Sequence, residues 1–74
     1  MKYIAEIAEI LEILDISSIN ESDKLNEVGF DSLASINLIS FITDKTDEDI
    51  QVEDFQNLET VKDLNDYINN KINN

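Results

Sequence analysis

The sequence contains no cysteine, no histidine, no proline and no tryptophan, and only one glycine. Without Cys or His there is no thiolate nucleophile, no imidazole base and no common zinc ligand set, so its reactive groups are carboxylates, hydroxyls and a few amines. No disulfide can staple the fold, in keeping with a reducing compartment. Basic residues are also scarce: 5 Lys plus Arg stand against 17 Asp plus Glu, a formal charge of −12. That balance repels nucleic acid phosphates and anionic bilayers and favours basic protein partners. Long apolar runs are missing too. Met1 to Leu14 is rich in Ile and Leu, but Glu6, Glu9 and Glu12 interrupt it. It is therefore neither a signal-peptide core nor a bilayer span, and a cytoplasmic protein without membrane insertion is expected. A chain of 74 residues buries only about 60% of its unfolded surface. One domain spanning residues 1–74, monomeric and without a deep catalytic cavity, is the expectation, with no catalytic residue of its own and no dedicated metal site.

What is present is helical spacing. Tyr3, Ile4, Ile7, Ala8, Ile10, Leu11 and Leu14 share one arc of a helical wheel, predicting a first helix over 3–14. From Asp15 to Asp31 the periodicity weakens into a long loop pinned inward by Ile19, Leu25, Val28 and Phe30, with Gly29 free to take positive φ. A second helix is predicted from Ser32 to about Lys45, with Ile36, Leu38, Ile39 and Ile42 inward and Asp31 or Ser32 as its cap. After an acidic connector, Val52 to Leu58 reads as a short helical turn burying Val52, Phe55 and Leu58. Thr60 and Asp63 form a capping box for a last helix carrying Val61, Leu64, Tyr67, Ile68 and Ile72. The tail from Asn69 to Asn74 should fray. The fold class is all-α: a small bundle of three principal helices plus one short helix.

The informative segment is Gly29-Phe30-Asp31-Ser32-Leu33, in which a long loop delivers a serine to the first turn of an amphipathic helix. Ser and Asp are favoured helix caps, so plain capping is one reading of Ser32. The other is an attachment point, because a helix amino terminus presents unpaired N–H groups and the positive end of a dipole to a phosphate ester.

This segment resembles the attachment signature of the acyl carrier proteins and their peptidyl and aminoacyl relatives. Leu25-Asn26-Glu27-Val28 resembles the family's lead-in, Ile36, Leu38, Ile39 and Ile42 match its second-helix core, and Glu59-Thr60-Val61-Lys62-Asp63-Leu64 resembles the start of its last helix. The resemblance runs nearly end to end and implies an acyl-carrier-like bundle. It implies that Ser32 receives 4′-phosphopantetheine from coenzyme A through a phosphopantetheinyl transferase using a divalent metal, with Asp31 and Leu33 completing the recognition site. Acyl groups would then ride on the cofactor's thiol as thioesters, presented to acyl- or aminoacyl-loading and processing enzymes. An aminoacyl or peptidyl carrier, and a helical protein-interaction module in which Ser32 is only a cap, are the alternatives.

The outward face of the second helix is read as Leu33, Ala34, Asn37, Ser40, Phe41 and Asp44, the partner-binding face. Ala34 and Asn37 stand where fatty-acid carriers commonly have carboxylates, which points toward a specialised acyl, polyketide or aminoacyl pathway. If Phe41 is exposed, it offers partners an apolar anchor. Shielding of an apolar cargo would use Ile36, Ile39, Ile42, Phe55, Leu58 and Ile68. The connector Asp44-Lys45-Thr46-Asp47-Glu48-Asp49 lacks the glycine a calcium loop needs and is read as a solvated acidic face. Crowded carboxylates should have raised pKa values, so mild acid should stabilise the fold.

Overall fold

In the computed structural model, which describes residues 1–73, the Ile/Glu spacing of the amino terminus forms α1 (Ile4–Leu11), with Ile7, Ala8, Ile10 and Leu11 buried. The helix stops three residues short of the predicted Leu14. Glu12 turns into the left-handed region at φ 59, its N–H donating to the Glu9 carbonyl at 3.2 Å and the Ile13 N–H to the Ala8 carbonyl at 2.8 Å. This paired bonding satisfies the last carbonyls while swinging the chain off the helix axis. Leu14, expected inward, is fully exposed. Asp15 then caps a short 3-10 turn, Ile16–Ser18, inside the segment read as loop.

The rest of that loop is laced to the entry of the last helix. Leu25 N–H donates to the Glu59 carbonyl at 2.9 Å, Val61 N–H to the Asp23 carbonyl at 2.9 Å and Lys62 N–H to the Glu21 carbonyl at 3.0 Å. The antiparallel Lys24–Thr60 bridge is the single β-type pairing among the described residues. Ile19 and Leu25 are buried as expected, and Val28 and Phe30 half-buried.

Next comes α2 (Ser32–Thr46), closed by Asp47 at φ 60, whose N–H bonds the Thr43 carbonyl. An aspartate, which tolerates the left-handed region, makes the turn where glycine is missing. The short helix follows as a 3-10 segment, Val52–Asn57. Phe55 is buried and Leu58 half-buried, but Val52 is exposed. Ile50, on the extended connector just before it, is buried instead.

The last helix, α3 (Val61–Ile72), has the predicted reciprocal cap: Thr60 Oγ1 accepts from Asp63 N–H while the Asp63 carboxylate accepts from Thr60 N–H. The helix is continuous to Ile72 rather than frayed from Asn69, because Asn73 Nδ2 donates to Tyr3 Oη at 2.8 Å and ties this end to the start of the chain. Asn74, the end of the tail expected to fray, lies outside the described residues. Nearby, the buried Asn65 Oδ1 accepts from Tyr3 N–H at 2.9 Å.

All three α-helices meet at Ile7, Leu38, Ile42, Val61, Leu64 and Ile68, which are fully buried. The inward stripe of α2 is Ala34, Ser35, Leu38 and Ile42, whereas Ile36, expected inward, is 57% exposed. The stripe is thus rotated from the predicted one. Apolar side chains surround α2 on all sides, so its own wheel hardly distinguishes the faces, and packing against α1 and α3 decides. No described helix is long and apolar enough to cross a membrane.

Candidate functional site

The turn before α2 is built around Gly29, whose φ of +90 lies in a region that side-chain-bearing residues adopt at a cost. A Cβ there would meet nothing within 4 Å, so the backbone angle, not space, calls for glycine. Phe30 N–H closes the turn onto the Leu25 carbonyl at 3.0 Å, and Asp31 N–H bonds the Gly29 carbonyl at 2.9 Å. The Phe30 ring packs edge-to-face on Phe55 at 5.9 Å, and Phe55 likewise on Tyr67 at 5.5 Å. This aromatic ladder anchors the residues just before α2 to the short helix and to α3. Each ring was legible as an inward residue; their contact across the chain was not.

Asp31, not Ser32, caps α2. Its Oδ1 accepts from Ala34 N–H at 3.0 Å, while its carbonyl accepts from Ser35 N–H at 2.9 Å and Ser35 Oγ at 3.1 Å. Ser32 is the first helical residue and is exposed. At this position the Ser32 and Leu33 N–H groups have no acceptor within the helix. The site therefore presents an uncommitted hydroxyl beside unpaired donors at the positive end of a helix dipole.

Beyond Ser32, α2 exposes Leu33, Ile36, Ser40 and Asp44 and leaves Asn37 and Phe41 half-buried. Ala34, read as part of this face, is only 3% exposed and belongs to the core. Ile36 takes an outward place instead, which also removes it from the residues read as shielding a cargo. Phe41 is not freely projecting: it lines a cleft of about 380 Å³ between α1 and α2 with Glu6, Glu9, Ile10, Asn37, Ser40 and Asp44. Lys45 Nζ lies 5.7 Å from its ring centre. A second cleft, of about 280 Å³, is lined by Gly29, Asp31, Leu33, Ala34 and Asn37 together with Ile10, Leu11 and Glu12.

Away from the site, Asp63 is held below the usual carboxylate range by N–H donation from Glu59 and Thr60, at 3.0 and 3.2 Å. This is opposite to the rise expected from crowded charge, because two aimed main-chain donors outweigh diffuse repulsion. Burial, seconded by Asp54, pushes the Tyr67 phenol up to about 12. Among the described residues no cluster of three or more Asp, Glu, His or Cys is arranged to hold a metal.

Comparison with known families gives a match to the phosphopantetheine attachment site model over residues 4–68. Searches of curated proteins and of solved structures returned no match. The chain belongs to the phosphopantetheine attachment site family, and is a carrier whose cofactor is covalently attached 4′-phosphopantetheine. The residues present fit that group: an exposed serine hydroxyl relieved of capping, at a helix start that favours a phosphodiester, in a chain with no thiol of its own.

Proposed function

We propose that this protein is an acyl carrier in which Ser32 bears the 4′-phosphopantetheine arm, and that it presents thioester-bound intermediates to the enzymes of a specialised biosynthetic pathway. The observation that carries the reading is the division of labour at the start of α2: Asp31 satisfies the helix while the neighbouring Ser32 stays exposed. In the loading reaction Ser32 Oγ bonds to the pantetheine-side phosphorus of coenzyme A. The pyrophosphate P–O bond breaks, 3′,5′-ADP leaves, and the hydroxyl proton passes to a base on the transferase.

Within the carrier, Gly29 and the Phe30–Phe55–Tyr67 ladder fix where the helix begins, Asp31 orients its first turn, and the N–H groups of Ser32 and Leu33 favour the attached phosphate. The arm supplies the thiol on which acyl groups are activated; bases and oxyanion donors belong to partner enzymes. Tethering raises the local concentration of cargo at each partner. Leu33, Ile36, Asn37, Ser40, Phe41 and Asp44 are the α2 residues we assign to partner contact. Few carboxylates on this face argue against partners that read a row of acids along α2, which supports a specialised pathway over housekeeping fatty-acid synthesis.

The test is intact mass after incubation with coenzyme A, Mg²⁺ and a broad-specificity transferase. Wild type is expected to gain one phosphopantetheine and Ser32→Ala none. Because Asp31 carries the cap, Ser32→Ala should melt within about 0.5 kcal/mol of wild type, so lost modification is not lost folding. An unmodified wild type beside a working control carrier would instead support a helical interaction module.

A further inference from the structure

The clefts between α1 and α2 form one trough. Ile10 and Asn37 line both of them; one end reaches Asp31 and Leu33, the neighbours of Ser32, and the other ends at Phe41 and Asp44. Ile10 and Phe41 give it an apolar floor, while Glu6 and Glu9 from α1 and Asp44 from α2 give it an acidic rim. Taken alone, α2 carries no carboxylate between Asp31 and Asp44. Packing brings in Glu6 and Glu9 from α1 and Glu12 from just past its end. The ion pairs among the described residues are Lys62–Asp66 and Lys71–Glu48, and neither engages Glu6, Glu9 or Asp44. The Phe41 ring already has one cation near it, Lys45.

We propose that this trough is the docking surface for the transferase that loads Ser32. The occupant is a cationic segment of that enzyme whose Lys or Arg side chains pair with Glu6, Glu9 and Asp44 while an apolar side chain seats on Phe41 and Ile10. The inference rests on the carrier reading above. Of the partners that reading requires, the transferase is the one that must reach Ser32 Oγ itself, where the trough ends. Enzymes acting on the thiol work at the far end of the arm. The rim charges, exposed at Glu9 and Asp44 and half-buried at Glu6, steer encounter and set its salt dependence, whereas the half-buried aromatic supplies contact that persists when salt is added.

The experiment is a time course of phosphopantetheine transfer, read by intact mass with the same transferase, at several carrier and NaCl concentrations. The variants are Glu6→Gln with Glu9→Gln, Phe41→Ala, and a charge-matched control, Glu21→Gln with Glu53→Gln, away from the trough. The trough glutamines are isosteric with the residues they replace, and a thermal melt certifies the fold of each variant. The trough pair is expected to raise the KM for the carrier by about three- to tenfold, keep kcat and flatten the salt dependence. Phe41→Ala should raise KM at all salt concentrations, and the control pair should match wild type. A wild-type KM in the trough pair, or an equal rise in the control pair, overturns the inference while leaving the carrier reading standing. A wild type that is never modified beside a working control carrier overturns both.

Discussion

Asp63 shows how a single carboxylate can oppose the trend set by the whole charge. Main-chain N–H groups of Glu59 and Thr60 bond its ionised form and depress its pKa. A carboxylate depressed in the folded state contributes stability above its unfolded value, and that contribution is lost as pH falls through the folded one. The stability gap between wild type and Asp63→Asn should therefore narrow as pH drops below about 4, as read by thermal melts from neutral to strongly acidic pH. A gap that widens on acidification would refute the capping account. At the same scale, the sequence left Asp31 and Ser32 as equal candidates for the cap. Both are competent at a helix start, and only the backbone at Asp31, φ −107 and ψ −167, placed outside the helix, assigns the role.

Among the elements, α1 carries a local conflict. It ends in a turn whose left-handed residue is Glu12 rather than glycine, and glutamate in that conformation costs about 1 kcal/mol. Glu12→Gly should stabilise the protein by about 0.5–1 kcal/mol in urea unfolding. Asp47, at the corresponding place after α2, has less to gain because aspartate visits this region more readily. The end of α1 was not legible in the sequence, since Ile13 and Leu14 continue the apolar spacing and glutamate gives no stop signal. The rotation of α2 was hidden for a related reason. Leu33, Ile36, Ile39 and Phe41 surround it, so a one-helix wheel could not show that Ala34 points inward and Ile36 outward. In α3, where Val61, Leu64 and Ile68 stand on one side of a polar helix, the wheel predicted the buried face correctly.

For the whole molecule the dominant electrostatic fact is self-repulsion, 17 acidic against 5 basic side chains. The Lys62–Asp66 and Lys71–Glu48 pairs are exposed or nearly so and are worth little in water. Screening should therefore relieve more repulsion than it removes attraction. Raising NaCl from low ionic strength to about 0.5 M is expected to stabilise the fold by about 1 kcal/mol, a rise in Tm of about 5 °C. A falling Tm over that range would mean that attractive pairs outweigh net charge. The same field makes the molecule a natural partner for basic surfaces, and the α1–α2 trough is where the structure joins that charge to an apolar floor near Ser32.

By itself the sequence determined the elements with strong one-sided periodicity, the glycine turn and the capping box, because each rests on chemistry within a few residues of chain. Tertiary structure decided which of two adjacent oxygens caps α2, which side of α2 faces water, that three aromatic rings from distant segments form one ladder, and that α1 completes the acidic rim α2 lacks. Those outcomes depend on how separate elements press on one another, and no local propensity encodes a contact whose two halves lie tens of residues apart.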